Sequence, residues 1–483
     1  MASVLFTHSY FLHFDPKQLK QQQPYPPLGT IWAASFLRQN NYRVSLFDVM
    51  FRRSAHEVLP VLEKEMPKYF VIYDDGFNYL TKMCLTNMRE AAFEMIRHAK
   101  KNNCVVIVSS SDSTDHYQKY LSEGADFVIL GEAEQTLLEL INTIESGGSA
   151  HAIKGIAFKE TGTLKVNEKR EVMRDLDSLP MPAWDLIDIH KYRSSWMNKA
   201  GYFSINMGTT RGCPFKCNWC AKPIYGNRYN SRSPKHVVEE LKFLLENYKP
   251  HHIWFTDDIF GLKPKWVNEF ADLVVKEKLK FRFKIQSRVD LLLEDDNIAA
   301  LAKAGCETVW VGAESGSQQI LDAMDKGTKV EQIYEATKLL KKHGIKPAFF
   351  LQFGYPGETK DDISKTINMV NDLLPDDIGV SVSYPLPGTK FHEKVKGELK
   401  EKTNWTDSDE LMLMFKNTYS SEFYKQLHRY VHKNYRKHQG YESIGKIVKQ
   451  PFRLDRQKLK RAASVVYYIP ATIIEKRKLE KIK

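Results

Sequence analysis

The sequence predicts an α/β protein in which two parallel-sheet units are followed by a mostly helical region. Short apolar runs rich in Val, Ile and Phe alternate with helical patterns over the first 150 residues, and a second alternating series with six strands begins near residue 201. Parallel strands require long crossover connections, which are usually helices. We therefore expect a doubly wound, Rossmann-like parallel sheet, then a partial (β/α)6 barrel of the TIM type, then a helical C-terminal region.

Residues 1–150 make up the first unit. Its predicted strands are Ser3–Thr7, Arg43–Phe47, Tyr69–Tyr73, Cys104–Ser109 and Asp126–Leu130. Its predicted helices are Thr30–Gln39, Ala55–Glu65, Leu85–Asn102, Asp115–Glu123 and Glu134–Ser146. A doubly wound sheet binds ligands at the carboxyl ends of its strands, where the strand order reverses. This edge is therefore the expected cofactor site.

Residues 151–200 are predicted to hold a hairpin, Ile156–Lys159 with Thr163–Asn167, and a proline-marked connector. Residues 201–395 are the barrel unit, with predicted strands Phe203–Met207, His252–Thr256, Phe281–Gln286, Thr308–Ala313, Ala348–Phe353 and Ile378–Ser383. Its predicted helices are Pro234–Asn247, Lys265–Lys278, Asn297–Ala304, Val330–His343 and Asp361–Leu374. Six units are two short of a closed eight-stranded barrel. Residues 396–483 form the helical region with a basic tail.

The composition is that of a globular protein with unevenly distributed charge. Hydrophobic residues make up 42% and charged residues 27%, which excludes wholesale disorder. There is no run of 18 apolar residues to span a membrane, and the first residues lack the pattern of an export signal, so we expect a cytoplasmic protein. The net charge is +12, yet residues 446–483 alone carry 12 basic and 3 acidic side chains. The nearly neutral remainder argues against a nucleic-acid-binding body.

Three clustered cysteines are the most informative part of the sequence. Cys213, Cys217 and Cys220 have CxxxCxxC spacing directly after the first barrel strand. The loop that carries them therefore lies at the carboxyl edge of the barrel, where such enzymes place their active sites. Positive charge on Arg211 and Lys216 is expected to favour the thiolate forms.

Two kinds of metal centre fit three cysteines. Iron–sulfur clusters are normally held by four, so three leave one iron open to a substrate or cofactor. The alternative is a structural zinc loop with a fourth ligand such as His236 or His252, although structural zinc sites usually come as two CxxC pairs.

The cysteine loop resembles that of the radical SAM superfamily. The resemblance implies that the three cysteines bind a 4Fe–4S cluster, that the open iron chelates S-adenosylmethionine, and that reduction cleaves this cofactor to a 5′-deoxyadenosyl radical. Further family motifs resemble segments that follow in order over residues 201–390. They imply cofactor contacts from Asp257 or Asp258 to the methionine amine, from Ser287 and Arg288 to the ribose and carboxylate, from Glu314 as a polar anchor, and from Gly354 on the adenine side.

Within that superfamily, the first unit resembles the N-terminal cobalamin (B12)-binding domain of one branch, which includes methyltransferases and anaerobic cyclases. The resemblance rests on Leu28 and Gly29 after two prolines, on Asp48 after the second strand, and on Gly131 and Glu132 after the fifth. There is no DxHxxG loop to supply a histidine to cobalt, so we expect cobalamin without a histidine axial ligand. The loop Ser109–Asp112, which includes Ser110, is expected to lie on the lower face of the corrin. The alternative is a degenerate domain that serves as a scaffold or substrate cover.

The C-terminal tail joins Lys and Arg clusters to a short apolar segment at Val465–Pro470. Such a segment can dock on an anionic membrane surface, such as the inner face of the cell membrane, and would suit a hydrophobic or lipid-like substrate. The alternative is a solvated basic terminus.

The resemblance therefore implies a radical SAM enzyme that methylates an unactivated carbon of a small molecule through methylcobalamin, with a reductant such as flavodoxin or ferredoxin and no nucleic-acid partner. Cyclisation, oxidation or rearrangement without methyl transfer is the alternative, since relatives in the branch catalyse these reactions. An RNA-modifying enzyme resembling the methylthiotransferases is a further alternative. It would require a second trio of cysteines in the first unit, which the sequence lacks. The last alternative is a non-catalytic metal-binding scaffold protein.

Overall fold

The computed structural model describes residues 2–74, 76, 85–399, 404–408, 410–449 and 456–482. The strands, numbered in chain order, are β1 Ser3–Thr7, β2 Arg43–Phe47, β3 Tyr69–Tyr73, β4 Val105–Ser109, β5 Phe127–Ile129, β6 Ile156–Glu160, β7 Thr163–Val166, β8 Ser204–Met207, β9 Thr210–Arg211, β10 Asn230–Ser231, β11 His252–Phe255, β12 Arg282–Ser287, β13 Cys306–Glu314, β14 Lys346–Phe353 and β15 Asp377–Val382.

The described α-helices, also numbered in chain order, are α1 Pro16–Gln21, α2 Leu28–Gln39, α3 Leu59–Glu65, α4 Thr86–Lys101, α5 Ser111–Ser122, α6 Glu134–Glu145, α7 Ile189–Ala200, α8 Pro234–Asn247, α9 Trp266–Lys276, α10 Val289–Leu292, α11 Asn297–Ala304, α12 Gln318–Ala323, α13 Val330–Lys342, α14 Lys360–Leu373, α15 Lys390–Val395, α16 Ser421–Lys449 and α17 Arg456–Lys481. Short 3-10 helices lie at Leu12–Phe14, Ala55–Val58, Ala150–Ala152, Leu176–Ser178, Trp184–Leu186 and Lys396–Glu398.

The first sheet has the strand order β2-β1-β3-β4-β5-β6-β7. Strands β1 to β5 pair in parallel, as predicted, because each is followed by a crossover that contains a helix. The predicted hairpin β6–β7 adds to the same sheet in antiparallel orientation beside β5. The order 2-1-3-4-5 is that of flavodoxin-like sheets, in which the switch between β1 and β3 opens a crevice at the carboxyl edge.

The second sheet runs β8-β11-β12-β13-β14-β15, with every neighbouring pair parallel. Since β8 and β15 do not pair with each other, the sheet is the predicted six-stranded partial barrel. One face of each strand is buried beneath helices; examples are Ile253, Phe283, Val309 and Phe349, each with no exposed surface. The other face lines the inside of the half-barrel.

One predicted loop is wrong. Residues Ser109–Asp112 were expected to form a loop, but helix α5 already begins at Ser111. Ser110 is its N-cap, and the Ser110 hydroxyl accepts a hydrogen bond from the Ser113 N–H at 2.8 Å while Ser113 Oγ accepts from the Ser110 N–H at 2.9 Å. This reciprocal capping moves the helix start four residues ahead of the predicted one.

The C-terminal region is an antiparallel pair of long helices, α16 and α17. Helix α16 is attached to the barrel, where the Tyr435 hydroxyl donates to the Pro375 carbonyl at 2.8 Å. Gly440 lies at the contact between the two helices, where an added Cβ would be 2.2 Å from Val465 Cγ2. None of the helices within the described residues is long and apolar enough to cross a membrane.

Replacing Gly440 with Leu should separate α17 from α16, because backbone and side-chain atoms of α17 fill the space that a side chain needs. We expect a lower melting temperature and faster tryptic release of the tail helix, measured by mass spectrometry. Gly445→Leu is the matched control: it lies in the same helix with nothing within 4 Å of the added Cβ. Since Leu favours helix over Gly by about 1 kcal/mol, this control should be neutral or stabilising. Equal behaviour of the two variants would contradict the packing described.

Candidate metal centre at the cysteine loop

The three cysteines lie in one loop at the carboxyl edge of the half-barrel. Strand β8 ends at Met207, and the short strands β9 and β10 pair in antiparallel orientation on either side of the loop. Cys213, Cys217 and Cys220 form no disulfide within the described part of the chain, and all three are half-buried. The loop is therefore held at both ends, and its sulfur atoms stay accessible to a metal.

Gly212 fixes the start of this loop. Its φ is +79°, a conformation that L side chains rarely adopt, and an added Cβ would lie 2.2 Å from the Arg228 carbonyl oxygen. The backbone before Cys213 can therefore pass this close to Arg228 only with glycine.

Lys222, which the sequence interpretation missed, holds the loop from inside. Its ammonium donates to the carbonyls of Cys213, at 3.0 Å, and Phe215, and to Asn227 Oδ1 at 2.7 Å. Burial raises the pKa of the Cys213 thiol, and the Lys222 charge acts in the opposite direction. Neither Arg211 nor Lys216 is among the leading influences on the pKa of Cys213: Arg211 pairs with carboxylates of the first unit, and Lys216 is exposed.

Two further cations lie next to Cys217. Arg288, directly after β12, places a guanidinium nitrogen 3.9 Å from Cys217 Sγ and stacks over Phe215 at 3.7 Å. Lys326 is buried and donates to Glu314 Oε1 at 2.8 Å. Burial lowers the pKa of Lys326, but the charges of Glu314 and Cys217 outweigh it, so the net pKa is raised. Thiolates at Cys217 would therefore be electrostatically stabilised.

The donor set fits an iron–sulfur cluster better than a single zinc ion. Among the described residues, the group whose ligand atoms all lie within 4.8 Å of one another is His56, Glu94 and His98, which does not include the cysteines. Zinc, with Zn–S bonds of about 2.3 Å, would need sulfurs about 3.8 Å apart. The proposed fourth ligands are also elsewhere. His236 contacts Asp177, and His252 lies at the first residue of β11, at the opposite end of the barrel.

The two adjacent aspartates after β11 have different environments. Asp257 is fully buried and accepts hydrogen bonds from the Thr209 and Thr210 N–H groups at 2.7 and 2.8 Å, and from the Thr209 hydroxyl. Burial raises the pKa of Asp257 to about 6. Asp258 is exposed, and its charge raises the pKa of Cys213. Asp257 therefore ties β11 to β8, and Asp258 is the carboxylate that faces the cysteine loop.

The remaining positions assigned to S-adenosylmethionine also reach the carboxyl edge. Ser287 is the buried last residue of β12, and Glu314 ends β13 with φ +57°. Gly354 has φ +77°, its N–H donates to Glu358 Oε2 at 2.7 Å, and an added Cβ would meet Tyr424 at 3.3 Å. The half-barrel thus brings these residues and the cysteines to the same edge.

Asn218 is a positioning residue that the sequence interpretation missed. It lies between Cys217 and Cys220, and its backbone N–H donates to the Met324 carbonyl at 3.0 Å. Its side-chain amide donates to the Ala323 carbonyl at 2.7 Å and accepts from the Tyr355 hydroxyl at 3.0 Å. The loop is thereby fastened to the ends of helix α12 and strand β14.

Arg211 joins the cysteine loop to the first unit. Its guanidinium donates to Glu134 at 2.6 Å and to Glu132 at 2.5 Å, and all three side chains are almost completely buried. Glu132 also accepts from the Met173 N–H. Both oxygens of Glu132, predicted to contact cobalamin, are thus engaged by protein donors. Neighbouring Gly131 has φ +96°, and an added Cβ would lie 3.4 Å from the Ile224 carbonyl.

The other predicted cobalamin positions lie along the carboxyl edge of the first sheet or near it. Asp48 accepts from His8 Nε2 at 2.9 Å, from the Met50 N–H at 3.0 Å and from the Tyr192 hydroxyl at 2.8 Å. Burial raises the pKa of Asp48, but the His8 hydrogen bond and charge outweigh it, so the net pKa is lowered. Leu28, Gly29, Ser109 and Ser110 are buried in the same unit.

Replacing Gly212 with Ala should displace the cysteine loop, because the methyl group overlaps the Arg228 carbonyl. We expect most of the iron and sulfide bound after anaerobic reconstitution to be lost, with the 400 nm absorbance reduced several-fold. Gly226→Ala is the control, since Gly226 also has a positive φ, +63°, but open space around the added Cβ. That variant should bear only the backbone strain, about 1–2 kcal/mol, and keep its iron. Full iron in Gly212→Ala would refute the role given to this glycine.

Comparison with known proteins agrees with this geometry. The family model for the Radical SAM superfamily matches residues 207–370, which span the cysteine loop and most of the half-barrel. An uncharacterized methyltransferase of Pyrococcus horikoshii is 29% identical over 387 residues, 79% of this chain and 81% of the relative. A protein of Methanocaldococcus jannaschii named as a methylthiotransferase is 30% identical over 325 residues, 65% of this chain and 68% of the relative.

The fold of the whole chain also has a solved counterpart. The cobalamin-dependent S-adenosylmethionine radical enzyme OxsB, solved with aqua-cobalamin bound, superposes with a TM-score of 0.76 at 17% identity, covering 99% of this chain and 72% of OxsB. Both sheets and the helical C-terminal region are included in that match. Together with the family match and the two relatives, the cysteine loop at the edge of a six-stranded half-barrel establishes that this chain belongs to the radical SAM superfamily.

Proposed function

We propose that the chain is a cobalamin-dependent radical SAM methyltransferase that acts on an unactivated carbon of a small molecule. One observation carries the proposal: the carboxyl edge of the flavodoxin-like sheet meets the cysteine loop, through Arg211 and the pair Glu132 and Glu134. Each of these edges is where its fold type binds cofactors. Two cofactor sites would therefore face each other across one cavity.

On the barrel side, Cys213, Cys217 and Cys220 would hold the cluster, and Arg288, Lys326 and Lys222 would offset its negative charge. Asp258, whose charge acts on Cys213, would contact the ammonium group of the S-adenosylmethionine methionine, whereas Asp257 accepts hydrogen bonds from Thr209 and Thr210. Ser287, Glu314 and Gly354 would contact the rest of that cofactor. When bound, these cofactors supply a 5′-deoxyadenosyl radical, for hydrogen abstraction, and the methyl group of methylcobalamin.

On the side of the first sheet, cobalamin would lie beside the carboxyl ends of β1 to β5 without a histidine on cobalt. The histidine at this edge, His8, is 1% exposed and holds Asp48 with Nε2. Ser110 is occupied as a helix cap, so Gly131, which follows β5 at the same edge with a φ of +96°, is the better candidate for contact with the corrin. A small-molecule substrate and an external reductant such as flavodoxin or ferredoxin complete this proposal.

Cyclisation, oxidation or rearrangement without methyl transfer remains the alternative activity, since it needs the same cluster and differs in the fate of the substrate radical. The methylthiotransferase alternative is supported by the name of one relative, but the sequence lacks a second trio of cysteines. The cofactors retained by the protein separate these possibilities.

The test is anaerobic reconstitution with iron and sulfide, followed by titration with hydroxocobalamin. We expect one cobalamin retained per chain after gel filtration, with a spectrum that lacks a histidine–cobalt bond, and reductive cleavage of S-adenosylmethionine. Cys217→Ala should abolish cleavage and lower iron content while leaving cobalamin bound. Cys306→Ala, a buried cysteine in β13, is the control and should behave like the parent. Cleavage by a protein that retains no cobalamin would rule out methyl transfer.

We further propose that helix α17 contacts an anionic membrane surface. The helix buries Ala471, Thr472 and Glu475 against α16, yet it exposes large apolar side chains to solvent. These are Leu459, Val466, Tyr467, Ile473 and Ile474, exposed by 47–80%. They recur at heptad spacing on one face, and the basic residues of the tail flank them, a combination typical of interfacial helices.

Sedimentation with vesicles tests this surface. We expect the protein to sediment with phosphatidylglycerol-containing vesicles at low salt and to be released from them by high salt, because the attraction between the basic tail and the lipids is screened. The double variant Val466→Gln/Ile473→Gln should bind several-fold more weakly. Val275→Gln changes a 50% exposed valine on a barrel helix and should bind like the parent. Protein that stays in the supernatant with these vesicles would disprove membrane contact.

A further inference from the structure

The inner face of the half-barrel carries side chains that neither the cysteine loop nor the helices use. In the parallel pairing, Asn206 of β8 is opposite Trp254, and Trp254 is opposite Lys284 of β12. Gln286 and Trp310 continue the same face one step nearer the carboxyl edge. Because side chains alternate across a strand, these residues all point into the half-barrel.

Aromatic rings form the walls of this interior. Tyr25, from the segment before α2, reaches in beside the first strands, with its ring 4.6 Å from that of Trp254. Across the interior, Trp310 and Phe350 stack at 4.6 Å. Gly379 on β15 lies beside both rings, since an added Cβ would be in van der Waals contact with each at 3.4 Å. Trp254, Trp310 and Phe350 are each only partly buried, so each keeps some accessible surface.

Lys284 places a positive charge between these walls. Its ammonium lies 4.7 Å from the centre of the Trp254 ring and 5.4 Å from that of Tyr25. Among the described residues it has neither an ion pair nor a hydrogen bond from its side chain. Burial lowers the pKa of Lys284 to about 8, with the Tyr202 charge acting in the opposite direction. Ring faces offset only part of the lost hydration of an ammonium group, about 0.5–2 kcal/mol.

Asn206 supplies an independent sign of a missing ligand. It is 2% exposed, and its amide nitrogen donates to the Pro26 carbonyl at 3.0 Å. Its Oδ1 is buried and has no hydrogen-bond partner in the described structure. A buried acceptor without a donor costs about 1–3 kcal/mol. Lys284 and Asn206 Oδ1 lie on the same inner face without a partner among the described residues. A ligand that pairs with the cation and donates a hydrogen bond to the acceptor explains both.

We propose that the interior of the half-barrel binds a substrate that has a carboxylate on a flat apolar skeleton. The Lys284 ammonium forms an ion pair with the carboxylate, and the rings of Trp254, Trp310 and Phe350 lie beside the skeleton. This assignment rests on the proposed function, because it makes the interior the substrate site of that reaction. A singly charged group is favoured over a phosphate, since one ammonium neutralises one charge and a second buried charge would be left unpaired. A hydrogen-bond donor on the ligand would donate to Asn206 Oδ1.

The spacing along β12 gives the substrate its direction. Lys284 precedes Arg288 by four residues, or about 13 Å of strand at about 3.3 Å per residue. Arg288 is the residue that contacts Cys217. A ligand anchored at Lys284 would therefore extend toward the cysteine loop and present the end farthest from its carboxylate there. Lys284 is a specificity-determining residue in this arrangement and takes no part in the cofactor sites.

The experiment compares two probes on the reconstituted full-length enzyme by fluorescence titration: 2-naphthoate and its neutral analogue 2-naphthamide. We expect the parent to bind naphthoate at least tenfold more tightly than naphthamide. Lys284→Met should lose that preference and leave naphthamide affinity unchanged, whereas Lys284→Arg should keep it. Lys280→Met, an exposed lysine two residues before β12, is the control and should match the parent. Lys284→Met should melt no lower than the parent, since an apolar chain of similar length replaces a partly buried cation that has no ion pair among the described residues.

The outcomes separate this inference from the function on which it rests. A parent without a preference for naphthoate, or Lys284→Met with the preference intact, would overturn the assignment. Iron content and S-adenosylmethionine cleavage are measured on the same samples and should be unchanged in Lys284→Met. If those cofactor measurements fail while the naphthoate preference depends on Lys284, the proposed reaction is wrong and the carboxylate site stands.

Discussion

The buried contact between Arg211 and the carboxylates of Glu132 and Glu134 is the constraint on which the site depends. Arg211 directly precedes Gly212 and Cys213, and its partners lie 77 and 79 residues earlier in the chain, after β5. The guanidinium also lies over the rings of Trp32 and Tyr225, at 5.4 and 5.3 Å. Breaking a buried charge pair from one side typically costs about 3–5 kcal/mol. The position of the cysteine loop against the first sheet is therefore strongly fixed. If the two carboxyl edges moved relative to each other, the charges of Arg211, Glu132 and Glu134 would be left unpaired or exposed to solvent.

The cysteine loop is fastened a second time on its far side. Asn218 makes five hydrogen bonds. It donates to the Ala323 and Met324 carbonyls and to Asp325 at the end of α12, and it accepts from the Tyr355 hydroxyl after β14 and from the Phe391 N–H of α15. Lys222 ties the loop to itself. A long loop normally gains mobility from exposed backbone groups, but here these groups are paired with buried partners. The thiols are thus carried by a loop that hydrogen bonds tie to its surroundings at several points.

Strand alternation gives the barrel one fully buried face and one face that keeps accessible surface. Residues such as Phe283 and Val309 face the helices and are fully buried, whereas Lys284, Gln286 and Trp310 face inward and keep accessible surface. A half-barrel has no opposite strands to fill that interior, so Tyr25 of the first unit enters instead. The same chain segment continues into α2, near the carboxyl edge of the first sheet. The first unit therefore contributes a side chain to the interior of the barrel.

The sequence by itself determined the strand–helix order, both parallel sheets and the cysteine spacing, because periodicity, turn residues and motif spacing are local properties. It located Cys213, Cys217, Cys220, Arg288 and Glu314 correctly at one edge, since the carboxyl ends of parallel strands must coincide. Only the tertiary structure decided which side chains are already occupied. Asp257 and Asp258 are adjacent in sequence, yet burial and the Thr209 contacts separate their roles. The roles of Arg211, Glu132, Asn218 and Lys284 depend on residues that lie far from them in the chain. Charge pairing and burial depend on packing between distant segments, which no local pattern records.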